Sequence, residues 1–278
     1  MKKKNIQTTL AILFMVAGFI LLFYPDISNL QKTMVHESII REYDSMVALL
    51  SPEQIDRQLH RANVHNAHLS SLALSQPLLL GHIAPLPEDY KQILNVQGVM
   101  AWIDIPTIDV SLPIFHGTEP EVLARGVGHL EGTAFPTGGY DTHSALTTHS
   151  GLAGTRLFTD LGLLKYGDVF FVSVMGRRLA YQVDQIEVVL PHEIDNLRVT
   201  PGKDLMTLIT CTPIAINTHR LLVRGNRIPY EVYMTDEIAP IAVSTGFRTR
   251  VLVFAGFFIV NFFLLQIRRR PQQVQQAT

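Results

Sequence analysis

Residues 206–224 read MTLITCTPIAINTHRLLVR, two strand-like runs joined by a short loop, and this hairpin decides the fold. The first run ends at Cys211, the single cysteine of the chain, and the second begins at Arg220 after an eight-residue loop. An antiparallel return across that loop brings Cys211 beside Arg220. A guanidinium next to a thiol favours the thiolate and can donate hydrogen bonds to a developing oxyanion. The pair therefore predicts a cysteine nucleophile with electrostatic support.

A proton donor for the leaving group is the next requirement, and histidine is the usual choice. His149, in the run ALTTHSGL, follows a strand and precedes a glycine turn, and His129, in GVGHLEG, is its nearest rival. His116, His143 and His219 are weaker candidates. Sequence alone does not reveal which histidine lies beside Cys211. It also leaves open that Cys211 is a packed, unreactive side chain, as free cysteines commonly are.

Strand-like runs also precede this hairpin, from residue 96 onward, and with it they predict a mainly β domain over residues 96–235. Eight short runs with few helices between them favour a closed barrel over a βαβ sheet. Glu119–Arg125 and Leu157–Leu164 are predicted as single short helices in the connections. The predicted strands are Val99–Ile105, Asp109–Phe115, Val127–Gly132, Ser144–Thr148, Val169–Val174, Leu179–Leu190, Met206–Thr210 and Leu221–Val223.

A helical extension precedes the barrel, over residues 27–84. Apolar residues recur at three- and four-residue steps between Ile39 and Leu50, and Ser51-Pro52 is typical of an N-cap followed by proline at the first helical position. The extension is therefore expected to be an amphipathic helical pair. His60, His65 and His68 fall within it at spacings that do not share one face, so they predict no metal site.

Two apolar stretches flank this middle region and predict a transmembrane helix at each end, over residues 5–24 and 251–267. The first lacks a small-residue cleavage site, which favours a retained anchor over a cleaved signal peptide. Lys2, Lys3 and Lys4 precede the first stretch, and Arg268, Arg269 and Arg270 follow the second. Because cytoplasmic flanks are rich in Lys and Arg, residues 1–4 and the 268–278 tail are expected inside, with the middle outside the cytoplasm.

Charge is also divided between the basic ends and an acidic middle region. The formal net charge is −1, yet residues 26–250 carry 17 Lys and Arg against 24 Asp and Glu. An acidic middle region argues against a nucleic-acid partner held by a basic field. The single cysteine excludes an intramolecular disulfide and a multi-cysteine zinc or iron–sulfur site, and no cofactor is expected.

Five ordered motifs of the chain resemble the sortase family, and specifically its class C, pilus-assembly branch. TLITC at residues 207–211 matches the TLxTC signature of sortases, and its extension TLITCTPIAINTHRLLVRG resembles class C. The same holds for GVMAWIDIP, LPIFHGT, GVGHLEGT and TTHSGL, which begin at residues 98, 112, 126 and 147. With both apolar stretches, the resemblance covers nearly the whole chain.

The resemblance implies an eight-stranded sortase barrel with Cys211, His149 and Arg220 as its catalytic residues. In the family, the cysteine attacks the Thr–Gly bond of an LPXTG-like sorting signal, and a lysine amine of the next pilin resolves the thioacyl enzyme. His129 then becomes structural or a contact near the site, and Arg224 is expected to pair with an acidic neighbour. The chain would be a two-span transpeptidase of a Gram-positive cell membrane, with its barrel extracellular and pilin as its partner.

One segment departs from the class C pattern. Members commonly carry an Asp-Pro-aromatic lid over the cysteine, whereas this chain has Gln76, Pro77 and Leu78 at the corresponding place. Gln76 cannot form an ion pair with Arg220, and Leu78 cannot stack on the thiol as an aromatic would. A weaker lid, or none, is therefore expected.

Two other functions stay open. A sortase that attaches single proteins to peptidoglycan would use a cell-wall amine in place of the pilin lysine. A non-catalytic, membrane-tethered binding domain would need Cys211 only as a packed side chain.

Overall fold

The computed structural model describes residues 2–75, 87–152, 154–193 and 195–230, and a closed eight-stranded β-barrel dominates them. The strands follow the barrel in the order β1-β2-β3-β4-β7-β8-β6-β5. The predicted mainly β, eight-stranded barrel is confirmed. Its strands are β1 (Ala101–Ile105), β2 (Val110–His116), β3 (Val127–His129), β4 (Thr142–Thr147), β5 (Val169–Val174), β6 (Arg177–Val189), β7 (Asp204–Thr212) and β8 (His219–Ile228).

The barrel interior explains why these runs become strands. Each strand contributes at least one apolar or aromatic side chain that is 0% exposed to a single continuous core. Burying such side chains supplies the main stabilising free energy of a small barrel. These eight fully buried residues are Ile103, Ile114, Val127, Leu146, Phe170, Tyr181, Leu208 and Val223.

Two of the strand pairings are parallel, β2 with β3 and β4 with β7, and the others are antiparallel.

The two short helices predicted in the connections are shorter in the structure than predicted. Pro120–Leu123 (α3) is a single α-helical turn, and Leu161–Leu163 is a 3₁₀ turn.

The helical extension forms α1 (Lys2–Ala48) and α2 (Pro52–Ser75). The predicted break between them is confirmed: Ser51 and Gln54 form a capping box, with the Gln54 side chain accepting from the Ser51 N–H at 2.8 Å. The Ser51 hydroxyl accepts from the Gln54 N–H at 3.3 Å. The structure differs in one respect, because α1 continues through Pro25 and joins the first apolar stretch to the extension. A single proline removes one helical hydrogen bond, and the helix continues here despite that loss.

Membrane-spanning segments are not found among the described residues, where no helix is both long and apolar enough to cross a bilayer. The backbone of residues 5–24 is helical, but most of their side chains lie outside the description. Residues 251–267 and the 268–278 tail also lie outside the described residues.

Tyr43 joins α1 to the barrel. Its hydroxyl donates to the Met100 carbonyl at 3.1 Å and accepts from the Met175 N–H at 2.9 Å. The side chain is 2% exposed, and burial raises the pKa of its hydroxyl to about 12. One buried hydroxyl thus gives a hydrogen-bond partner to the backbone carbonyl just before β1 and to the backbone N–H just after β5.

Tyr43→Phe should lower the free energy of unfolding by about 1–3 kcal/mol, because a buried carbonyl and a buried N–H lose their partner. Chemical denaturation monitored by circular dichroism measures the change. Tyr140→Phe is the matched control, since Tyr140 is 84% exposed, and it should leave the unfolding free energy unchanged. Equal stability of Tyr43→Phe and the wild type would show that this bond does not hold α1 to the barrel.

Candidate active site

Three neighbouring strands place residues at the same end of the barrel. β7 lies between β4 and β8 and pairs with β8 in an antiparallel register that places Cys211 opposite Arg220. β4 runs parallel to β7, and their pairing ends at Thr147 opposite Ile209. His149 and Cys211 each follow these residues by two positions, so the same register places His149 level with Cys211. The fold therefore brings His149, Cys211 and Arg220 to one row.

This row lies on the outer face of the barrel. Side chains alternate along β7, where Met206 and Leu208 belong to the interior core while Ile209 belongs to a second cluster. Cys211 has the same parity as Ile209. The outer cluster is Ala145, Ile209 and Leu222, with Leu130, Val189 and Leu197 packed against it. This buried apolar cluster, called the outer cluster below, lies beside the cysteine.

All three side chains of the row are accessible to a substrate. Cys211 is a free, partly exposed thiol, and His149 and Arg220 are also partly exposed. Cys211 is therefore not enclosed in the core as Met206 and Leu208 are. The row therefore lies at the surface of the barrel, beside the outer cluster.

Arg220 keeps its donors available. Its Nη1 donates to the carbonyls of Asn217 and His219 at 3.2 and 3.1 Å. Within the described ranges no carboxylate lies at ion-pair distance from it, whereas Arg224 forms a two-point ion pair with Asp184 at 2.9 and 3.1 Å. The expected pairing of Arg224 with an acidic neighbour is thus confirmed. A guanidinium bound only to carbonyl groups retains its charge for an anionic partner.

Known proteins have a similar fold and sequence. The sortase domain matches residues 103–228. The chain is 40% identical to sortase C1 of GBS Pilus Island 1, with a TM-score of 0.65 over 70% of this chain and 98% of that chain. It is 44% identical to sortase C-1 from Streptococcus pneumoniae, with a TM-score of 0.62 over 69% of this chain and 99% of that chain. This chain belongs to the sortase family.

Sequence relatives agree with this assignment. Sortase A of Streptococcus agalactiae serotype III is 32% identical over 131 residues, which are 46% of this chain and 52% of that protein. The match thus spans about half of that curated relative, whereas the class C structures are covered almost completely. The similarity supports class C, and sortases are cysteine transpeptidases.

The environment of His129 does not suit a proton donor in this sortase. His129 is 1% exposed, and both ring nitrogens are in use. Its Nε2 donates to the Ala134 carbonyl at 2.9 Å, and its Nδ1 accepts from the Tyr90 hydroxyl at 2.9 Å. Burial lowers the pKa of His129 to about 4. A neutral, enclosed imidazole supports the fold and cannot exchange protons with a substrate.

His143 has a similar structural role. Its Nδ1 donates to the Arg198 carbonyl at 2.9 Å, and its Nε2 accepts from the Thr207 hydroxyl at 2.7 Å. Burial lowers its pKa to about 4. His116 is buried against the Ile93 carbonyl, and His219 lies on β8 with opposite parity to Arg220. His149 is the partly exposed histidine that shares the row with Cys211.

Sequence reasoning missed the outer cluster, because Ala145, Ile209 and Leu222 look like ordinary core positions of strands. The period-two alternation of β7 could have separated them from the interior set. The predicted lid residues Gln76, Pro77 and Leu78 lie outside the described residues.

Acid should destabilise this sortase through its buried histidines. The folded pKa of about 4 for His129 and His143 lies below the unfolded value of about 6.5. The unfolded chain therefore binds more protons between these values, and the free energy of unfolding falls as pH drops from about 6.5 toward 4. The loss is on the order of 3 kcal/mol per histidine.

Denaturant unfolding at several pH values from 7.5 to about 4.5 measures this effect. His129→Gln should be less stable at neutral pH but should show a shallower loss toward acid. His192→Gln, at an exposed loop position, is the control and should keep the wild-type slope. A His129→Gln slope equal to that of the wild type would contradict the assignment.

Proposed function

We propose that this sortase is a membrane-anchored transpeptidase that cleaves LPXTG-like sorting signals between Thr and Gly and joins pilin subunits through a lysine amine. The observation that carries the proposal is the row formed by His149, Cys211 and Arg220. A thiol between an imidazole and an unpaired guanidinium combines nucleophile, proton carrier and oxyanion donor.

In the first half-reaction, the Cys211 thiolate attacks the threonine carbonyl carbon of the sorting signal. The carbonyl oxygen becomes an oxyanion, which Arg220 stabilises by hydrogen bonds and charge. His149 donates a proton to the glycine nitrogen, the carbon–nitrogen bond breaks, and a thioester to Cys211 remains.

In the second half-reaction, the lysine amine of an acceptor attacks the thioester carbonyl. His149 accepts a proton from that amine, and Arg220 again stabilises the oxyanion. An amide forms, the carbon–sulfur bond breaks, and the Cys211 thiolate is restored. The same two side chains serve both steps because the second is the reverse of the first with a different amine.

Pilin as the substrate is supported by the similarity to class C sortases, including sortase C1 of GBS Pilus Island 1. Attachment to peptidoglycan remains an alternative outcome of the acceptor test below. The two apolar stretches and the basic ends of the sequence support a two-span anchor in the cell membrane with the barrel outside.

The test is mass spectrometry of the full-length protein mixed with an LPXTG-like peptide. The wild type should form a thioacyl adduct, and Cys211→Ala should form none. Arg220→Ala and His149→Ala should each slow adduct formation by about 10²-fold or more.

Arg224→Ala is the matched arginine control, since its partner is Asp184 and not the row, and it should keep adduct formation. Adding a pilin fragment with its acceptor lysine should release the adduct as a new amide. Release only by a cell-wall peptide amine would establish the anchoring alternative, and no adduct at Cys211 would establish a binding domain.

The lid is a separate proposal, which holds that Gln76 and Leu78 cover Cys211 weakly or not at all. Wild-type Cys211 should then react readily with a soluble thiol reagent, and deletion of residues 70–84 should change that rate little. The double substitution Gln76→Asp with Leu78→Tyr should slow the reaction, because Asp can pair with Arg220 and an aromatic ring can cover sulfur. A slow wild type that the deletion accelerates would contradict a weak lid.

A further inference from the structure

The loop after His149 is tied to the backbone of the cysteine residue itself. The Ser150 hydroxyl donates to the Cys211 carbonyl at 2.6 Å, between residues 61 positions apart in sequence. We propose that Ser150 is a positioning residue, which holds His149 level with Cys211 beyond the end of the β4–β7 pairing. The inference deepens the proposed function and rests on it for its main assay.

A hydrogen bond of this kind is needed because the backbone pairing of β4 with β7 ends before it reaches His149 and Cys211. The β4–β7 register ends at Thr147 opposite Ile209, two residues before His149 and Cys211. Beyond these residues, side-chain hydrogen bonds continue the contact between the two chain segments. The Thr210 hydroxyl donates to the Thr148 carbonyl at 2.9 Å, and Ser150 then makes the next link. The two hydroxyl bonds stand on either side of His149, and the Ser150 bond is the one that reaches Cys211.

A second contact joins the same two loops. Gly151 has a φ of +68°, and a Cβ at this position would lie 2.4 Å from Cγ2 of Ile214. The loop after His149 therefore lies directly against the loop after Cys211, with glycine allowing the close approach. The consecutive residues Ser150 and Gly151 contact Cys211 and Ile214 respectively, so the two loops are joined at two points.

The expected consequence is kinetic. The Ser150 hydroxyl donates to the Cys211 carbonyl, so its loss should leave peptide binding unchanged. Its loss removes one of the hydrogen bonds that hold the His149 loop, the one that reaches Cys211. A displacement of about 1 Å between catalytic groups can cost up to 10²-fold in rate. The effect should fall on kcat and not on KM.

Steady-state transpeptidation by the full-length protein with an LPXTG-like peptide tests the proposal. Ser150→Ala should lower kcat by about tenfold or more with KM within about twofold. Ser150→Thr should restore kcat, because threonine keeps the hydroxyl in the same place. Ser111→Ala is the matched control, which removes an exposed serine–Asp104 bond on β2, and it should have wild-type kinetics.

Wild-type kcat in Ser150→Ala, or a Ser150→Thr variant as slow as Ser150→Ala, would overturn the proposal. Ile214→Ala covers the case in which Ser150→Ala fails to fold, since Ile214 is 51% exposed and outside the core. It should lower kcat severalfold without raising KM, and unchanged kcat would count against the coupled loops.

A substrate-free readout separates this inference from the proposed function. If the wild type forms no adduct with the peptide, the proposed function fails, but Ser150 can still be tested by the rate at which iodoacetamide alkylates Cys211. That rate should fall about tenfold in Ser150→Ala and recover in Ser150→Thr, since a displaced His149 no longer accepts the thiol proton. Equal alkylation rates in all three proteins would overturn the positioning role.

Discussion

The parallel pairing of β4 with β7 is the constraint on which the site depends. Parallel strands end at the same edge of a sheet, so the residues that follow β4 and those that end β7 arrive together. The antiparallel return of β8 then brings Arg220 to the other side of Cys211. Three residues separated by up to 71 positions in sequence are thereby brought to one row, with the Thr210 and Ser150 hydroxyls continuing the β4–β7 contact beyond the last backbone pair.

The chemistry of the row follows from which charges are already used. Arg224 is engaged by Asp184, while Arg220 is bound only to carbonyl groups within the described part of the chain. His129 and His143 are enclosed and neutral, with burial lowering the pKa of each to about 4. Arg224, His129 and His143 therefore serve the structure, and Arg220 and His149 are the cation and the imidazole in the row with the thiol.

Much of the fold was predictable from sequence, because period-two patterns and turn residues mark strands directly. All eight strands, the Ser51 helix start and the Cys211–Arg220 pairing follow from local patterns and loop length. The choice between His149 and His129 was not predictable, because it depends on which strands are neighbours in the barrel. The passage of α1 through Pro25 was missed because a proline is normally a helix boundary.

The central claim is that His149, Cys211 and Arg220 act on one carbonyl group. The most direct measurement is a crystal structure of the full chain with an LPXTG-like peptide trapped covalently on Cys211. We expect hydrogen bonds from the Arg220 guanidinium to the threonine carbonyl oxygen, and the His149 ring on the leaving-group side of the same carbon. A carbonyl oxygen that turns away from Arg220, with another histidine at the leaving group, would contradict it.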